Sequence, residues 1–256
     1  MNNKHKSKYF ILVRFFTCVM LVCGMIMCSL LSGCGKKKNI PMFSYTITDT
    51  GQVNITGFTD KGKTAAKVTI PATIEGKPVV KIESGAFRES PNLKEVVFEE
   101  GVEQIAENAF LSCTNLENIT FPASLKSVGT NIIKNTAWEK KQYESADIIV
   151  VNDILVSAKE NIAKCEVPDG VRYIASGAFY RNTNLSDVKL PGSLEIIESY
   201  AFSGCTALKR IEFTDNLKII GYGAFSDCEQ LTVTVPASVR SIGTDAFLNV
   251  KEVIEK

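Results

Sequence analysis

Apolar residues recur along this chain in a fixed phase. Six Ala-Phe pairs end at Phe87, Phe110, Phe179, Phe202, Phe225 and Phe247. The steps are 23 residues, or three times 23 across the gap from Phe110 to Phe179, with a last step of 22. Leucine follows each of the first five anchors by six residues, at Leu93, Leu116, Leu185, Leu208 and Leu231. Then come two apolar residues separated by one outward position, as in Val96/Phe98, Ile119/Phe121, Val188/Leu190, Ile211/Phe213 and Val233/Val235. That alternation predicts a short strand with one buried face. Proline often ends it (Pro71, Pro122, Pro168, Pro191, Pro236), because a residue without an N–H cannot extend the ladder. A second apolar pair follows, for example Leu125/Val128 or Leu217/Ile220, and the Ala-Phe element is expected to turn the chain as one helical turn. One such coil cannot bury its own apolar face, so coils must stack. About eight coils, spaced as strands are, predict a rod roughly 40 Å long.

Residues 129–164 break the pattern. Two periods still fit by count, with Ile133 and Val156 in the phenylalanine column and Ile162, Cys165 and Val167 in strand columns. Glu139, Gln142 and Glu144 fall where apolar residues belong, so this coil is distorted or bulges out. Residues 43–57 lie outside the repeat. Phe43, Tyr45 and Ile47 alternate, a turn follows at 49–52, and Val53 and Ile55 alternate again, which predicts a hairpin capping the first edge. Residues 71–78 enlarge the first turn, and the charged 251–256 segment is expected to close the other end.

Stretches such as Leu116-Glu117-Asn118-Ile119-Thr120-Phe121-Pro122-Ala123-Ser124-Leu125 and Ser203-Gly204-Cys205-Thr206-Ala207-Leu208 closely resemble the BspA-like leucine-rich repeats of bacterial surface proteins. The resemblance covers roughly residues 45–250. It implies an α/β repeat solenoid, a leucine-rich-repeat stack with short strands, in a family that includes adhesins and other cell-surface interaction proteins. The family often shows a similar interruption, with tryptophan, a polar stretch and a segment like Asn152-Asp153-Ile154-Leu155.

The N-terminus reads as an address. Lys4, Lys6 and Lys8 precede an almost entirely apolar run from Phe10 to Leu31, the pattern of a signal peptide. The run ends Leu31-Ser32-Gly33-Cys34, which resembles the bacterial lipobox. Small residues admit the peptide to a narrow protease site, and the Cys34 thiol accepts the lipid. The expected organisation is a lipoprotein signal peptide over 1–33, a lipidated tether over 34–42, and a repeat domain over 43–256. The alternative is an uncleaved membrane anchor, since the apolar run is long enough to span a bilayer. Lys36-Lys37-Lys38 is read as a solvated tether. The protein is therefore expected in the cell envelope, exported and joined to a bacterial membrane through lipid on Cys34.

Charge changes the picture only after the leader is removed. The first 33 residues hold four basic residues and no acid, leaving 25 basic against 28 acidic, near −3. A nucleic-acid partner is not expected without a basic stripe. The lone histidine, His5, lies in the leader, so Ser-His and Cys-His nucleophiles are excluded from the repeat region. No phosphate-binding glycine pattern follows a strand, and no CxxC pair offers a zinc site. The expectation is no catalysis, no cofactor, no metal and a monomer. Cys113, Cys205 and Cys228 share the column three residues past the anchor phenylalanine. They read as small apolar residues packed inside the turn, with a Cys205–Cys228 disulfide as the alternative.

A binding surface must lie on the outward columns, since stacking fixes the others. Asp187, Lys189, Arg210 and Glu212 form the densest charged group on the strand face. The candidate ligand face is centred there and extends towards Thr120 and Thr234. Trp138, the only tryptophan, and Tyr143 are the alternative contact, with core packing as the competing role for Trp138. The ligand expected is a protein or a glycan at the cell surface; a structural spacer is the competing reading, and an envelope hydrolase is less well supported.

Overall fold

The computed structural model describes residues 41–255. They form a β-solenoid of about nine turns of roughly 23 residues. The repeat stack is as the periodicity predicts. The strands following each leucine, or the residue in its column, build parallel sheets in register. In the N-terminal half these are Lys67–Ile70, Glu95–Phe98 and Asn118–Thr120, with Val68, Val96 and Ile119 aligned. In the C-terminal half they are Lys164–Glu166, Asp187–Lys189, Arg210–Ile211, Thr232–Val235 and Glu252–Glu255. The second apolar pair of each coil builds the opposite wall, for example Tyr173–Ile174, Ile196–Ile197 and Ile219–Ile220.

The Ala-Phe element is not a helical turn. Each is flanked by two residues in the left-handed region. Before the Ala-Phe pair, or its equivalent, these are Gly85, Asn108, Asn131, Gly177, Tyr200, Gly223 and Asp245; after it they are Glu89, Ser112, Asn135, Arg181, Gly204, Asp227 and Asn249. Two left-handed residues so close together cannot belong to a right-handed helix. They bend the chain so that alternate N–H groups point to the next coil. Phe179 N–H donates to Ala201 O at 2.8 Å and Phe202 N–H to Ala224 O at 2.8 Å, and the flanking residues do the same. A third hydrogen-bond ladder thus runs along the turn side. It explains the predominance of Gly, Asn and Asp in the first of these columns. Tyr200 is the departure, at φ +56°. Its ring sits over Gly223, where a Cβ would come within 2.8 Å of Tyr200 Cε1.

The expected cap is present. Phe43–Ile47 and Val53–Phe58 pair antiparallel, and the second of them joins Lys77–Ile82 in parallel, covering the edge. Phe43 and Phe58 lay their rings against Phe87, with centroids 6.0 and 4.6 Å away. The enlarged first turn is a second tight hairpin, Thr73–Ile74 on Lys77–Ile82, turning at Glu75 and Gly76 with φ +53° and +72°. The C-terminal segment closes the strand side as the last strand of its sheet.

Residues 129–164 hold the main departure. A single α-helix, Ala137–Gln142, is followed by an antiparallel hairpin, Ile148–Val151 with Ile154–Ala158. Thr136 caps the helix, its Oγ1 accepting from Glu139 N–H at 3.0 Å. The hairpin divides the core in two. Ile149, Val151, Ile154 and Val156 pack into the N-terminal core, while Ile148, Val150 and Leu155 pack into the C-terminal one. A strand buried on both faces needs no polar alternation, which is why Ile148-Ile149-Val150-Val151 is uniformly apolar. Val156 does not occupy the phenylalanine column. Leu155 aligns with Ile174, so Val156 lies opposite Ala175, four residues short of Phe179. The even count across the gap conceals an inserted hairpin and a shortened turn. Ile133 is buried as expected, and Cys165 aligns with Val188 in the strand column.

Candidate functional site

On the strand face of the C-terminal half, two outward columns run across three coils. One holds Lys164, Asp187 and Arg210, the other Glu166, Lys189 and Glu212. Parallel register brings Lys164 beside Asp187, Asp187 beside Arg210, and Glu166 beside Lys189. Signs therefore alternate both along each strand and between coils, in a checkerboard. Lys189 Nζ meets Glu166 at 2.6 Å, Arg210 meets Glu212 at 2.5 Å and Lys164 lies 3.6 Å from Asp187. The bond to Glu166 holds the Lys189 ammonium above the ordinary lysine value. All six side chains are well exposed, so these pairs add little to stability. Their effect is to fix the positions of charges on a rigid sheet.

Two grooves open on this face. The larger, about 590 Å³, is lined by Lys209, Arg210, Glu212, Phe213, Thr232 and Thr234 among others. It exists because the strand Arg210–Ile211 is only two residues long and meets its next neighbour at Arg210↔Thr232 alone. Five other strands of this kind end in proline, but here Thr214 follows Phe213 and its buried Oγ1 has no hydrogen-bond partner. The smaller groove, about 300 Å³, is lined by Lys164, Cys165, Glu166, Asp187 and Lys189. Five of the six candidate residues thus line the two grooves. Thr120 does not. It is exposed on the strand Asn118–Thr120, beyond the hairpin in the N-terminal half.

Trp138 and Tyr143 turn inward. Trp138 is 6% exposed, and its backbone N–H donates to Leu116 O at 2.6 Å. Tyr143 is partly buried and shares a 2.5 Å hydrogen bond with Ser157, and burial pushes its phenol above the ordinary value. The opening in this region lies beside them. A cleft of about 320 Å³ sits on the turn side between the two halves, lined by residues including Asn131, Lys134, Glu160, Tyr180, Arg181 and Asn182. Nothing in the expected columns pointed to it. The available signal was Asn182, which stands in the column of Cys113, Cys205 and Cys228.

Those cysteines take the packing role. Cys113, Cys205 and Cys228 are free and fully buried. Each thiol donates to the carbonyl of the preceding anchor: Cys113 to Phe87 at 2.9 Å, Cys205 to Phe179 at 3.1 Å and Cys228 to Phe202 at 3.1 Å. Burial raises Cys113 to about 11 and Cys205 to about 12. Among the described residues no group of three or more His, Cys, Asp or Glu could hold a metal ion, and no helix is long and apolar enough to cross a membrane. Cys34, the expected signal peptide and nearly all of the expected tether lie outside the described residues.

The BspA type leucine rich repeat region matches the chain in six copies, over residues 80–189 and 147–254. No curated protein matches it. Among solved structures, a leucine rich repeat protein of T. pallidum is 26% identical, with 75% of this chain and 88% of that one covered and a TM-score of 0.45. A leucine-rich repeat protein from Bacteroides ovatus is 27% identical, with 82% and 56% covered and a TM-score of 0.44. A leucine rich cell surface protein from Faecalibacterium prausnitzii is 16% identical, with 90% and 96% covered and a TM-score of 0.38. On the extent of the six-copy match, the chain belongs to the BspA type leucine rich repeat family.

Proposed function

We propose that this protein is a lipid-anchored envelope protein whose C-terminal strand face binds another protein. The observation that carries this reading is the groove at Arg210, Glu212 and Thr234, beside the charge checkerboard. A rigid sheet holds its side chains in place and lowers the entropy cost of binding. Charges of both signs at fixed spacing select a partner that also carries both signs, which a protein segment does and a neutral glycan does not. The family supports an interaction role and gives no residue for chemistry. The purified chain, screened against host-matrix and envelope proteins, is expected to retain a specific binder. Lys189→Glu combined with Arg210→Glu should weaken that binding while leaving the melting temperature nearly unchanged. If no protein is retained, the spacer reading replaces this one.

Anchoring rests on Leu31-Ser32-Gly33-Cys34. Cys34→Ala should abolish lipid incorporation and cleavage before position 34. An unmodified Cys34 in the mass spectrum of the native protein would overturn the anchor.

A further inference from the structure

One strand pair of the C-terminal face fails to close. At Leu93/Val96, Leu116/Ile119, Leu185/Val188 and Leu208/Ile211 the leucine stands three residues before the first inward strand residue; at Leu231/Val233 it stands two before. This coil is one residue short at the start of its strand, the same deficit that makes the last phenylalanine step 22. With the approach shortened, Arg210–Ile211 meets Thr232–Val235 at Arg210↔Thr232 alone. On its other side Thr232–Val235 pairs along its whole length with Glu252–Glu255.

The break leaves main-chain groups facing one another without bonding. Along a parallel strand, alternate residues turn both N–H and C=O to the same neighbour. Thr232 N–H donates to Lys209 O at 3.0 Å, so Thr234 also points at this coil, towards Ile211 and Phe213. Among the described residues no backbone hydrogen bond takes up Ile211 C=O, Phe213 N–H or either group of Thr234. The 590 Å³ groove opens along these residues. Donors and acceptors on two facing strand edges are what another main chain, entering as a strand, would satisfy. Two charges flank the opening. Lys209 precedes the strand and Asp215 follows it; both are exposed, and among the described residues neither has an ion pair.

We propose that this groove takes an extended peptide segment of the partner protein, inserted as a strand, with an acidic residue at the Lys209 end and a basic residue at the Asp215 end. This rests on the strand face being the protein-binding surface, and it names what enters there. The probes are fluorescent capped peptides of alternating threonine and valine, with one glutamate at one end and one lysine at the other, in both orders. They are titrated against the purified full chain by fluorescence polarisation. One order is expected to bind about tenfold more tightly than the other and than peptides with two like charges. Methylating alternate peptide nitrogens should abolish binding, because the main chain makes the contacts. Lys209→Glu with Asp215→Lys should reverse the preferred order without moving the melting temperature. Inserting one lysine between Leu231 and Thr232 restores the regular step, and it should close the ladder and remove binding with no loss of stability. If that variant does not fold, the charge exchange and the methylated peptides decide. The proposal is overturned if no peptide binds, if the methylated peptide binds as well, or if the charge exchange leaves the preference unchanged. A protein retained in the screen without peptide binding would remove strand insertion and leave the protein-binding face standing; loss of both would remove both.

Discussion

Trp138 stands edge-on to Phe121, ring centroids 5.7 Å apart and planes at 71°. It ends the aromatic packing of the N-terminal core, beyond Phe98 stacked on Phe121 at 6.1 Å. Trp138→Ala should therefore act as a core truncation, costing about 3–5 kcal/mol in denaturant unfolding. A surface contact would show almost no loss of stability.

Phe202 lies between Phe179 and Phe225, with centroids 4.8 and 5.1 Å away and planes within 7° and 4°. Phe202→Ala should cost about 3–5 kcal/mol. Lys209→Ala, on the outside of the next coil, should cost under about 0.5 kcal/mol. Equal effects on chemical unfolding would refute the assignment of columns.

Glu139 is buried where the repeat places leucine, its carboxylate accepting from Asn135 N–H at 2.9 Å. Burial raises its pKa, only partly offset by that bond and by Lys134. A raised carboxyl favours the protonated fold, so its contribution is fully present below the unfolded value of about 4.3 and is lost as pH rises through the folded one. Glu139→Gln removes this titration. Relative to the variant, the native protein should gain stability as pH falls from neutral towards 4, read from melting curves at several pH values. Glu160, lowered by Lys134, changes in the opposite sense, and it is present in both proteins and cancels in the comparison.

Cys113, Cys205 and Cys228 should resist iodoacetamide at neutral pH in the folded protein and react fully in denaturant. Burial disfavours each thiolate, and each proton is held by a carbonyl. Intact mass after native alkylation checks this. A Cys205–Cys228 bridge formed in oxidising buffer would contradict the packing described.

The columns of this fold were legible because stacking demands the same apolar residue every turn. Phe202, Leu208 and Ile211 could be placed by counting. The Ala-Phe turn reads as helical in the sequence because its defining feature is backbone conformation. The only trace in the sequence is the Gly, Asn or Asp before alanine, and Tyr200 breaks even that. Counting puts Val156 in the wrong column because it assumes no insertion, and a hairpin with a compensating deletion preserves the total. The checkerboard was half visible. Asp187, Lys189, Arg210 and Glu212 stood out as a charged group, but Lys164 and Glu166 joined them only once the register beyond the hairpin was known. The cleft required knowing which coils fail to touch.

The hairpin that separates the two cores also interrupts every ladder. The sheets on either side are separate, and among the described residues no backbone hydrogen bond joins residues 41–136 to residues 147–255. Across that boundary run apolar packing, the Asn152 Nδ2 bond to Pro122 O and the Lys134–Glu160 pair. Elsewhere neighbouring coils are joined by many backbone bonds that must fail together when pulled along the axis. Under tension the molecule should part first at this plane, releasing one half while the other stays wound, so that a single chain stretched from its ends lengthens in two separate yields.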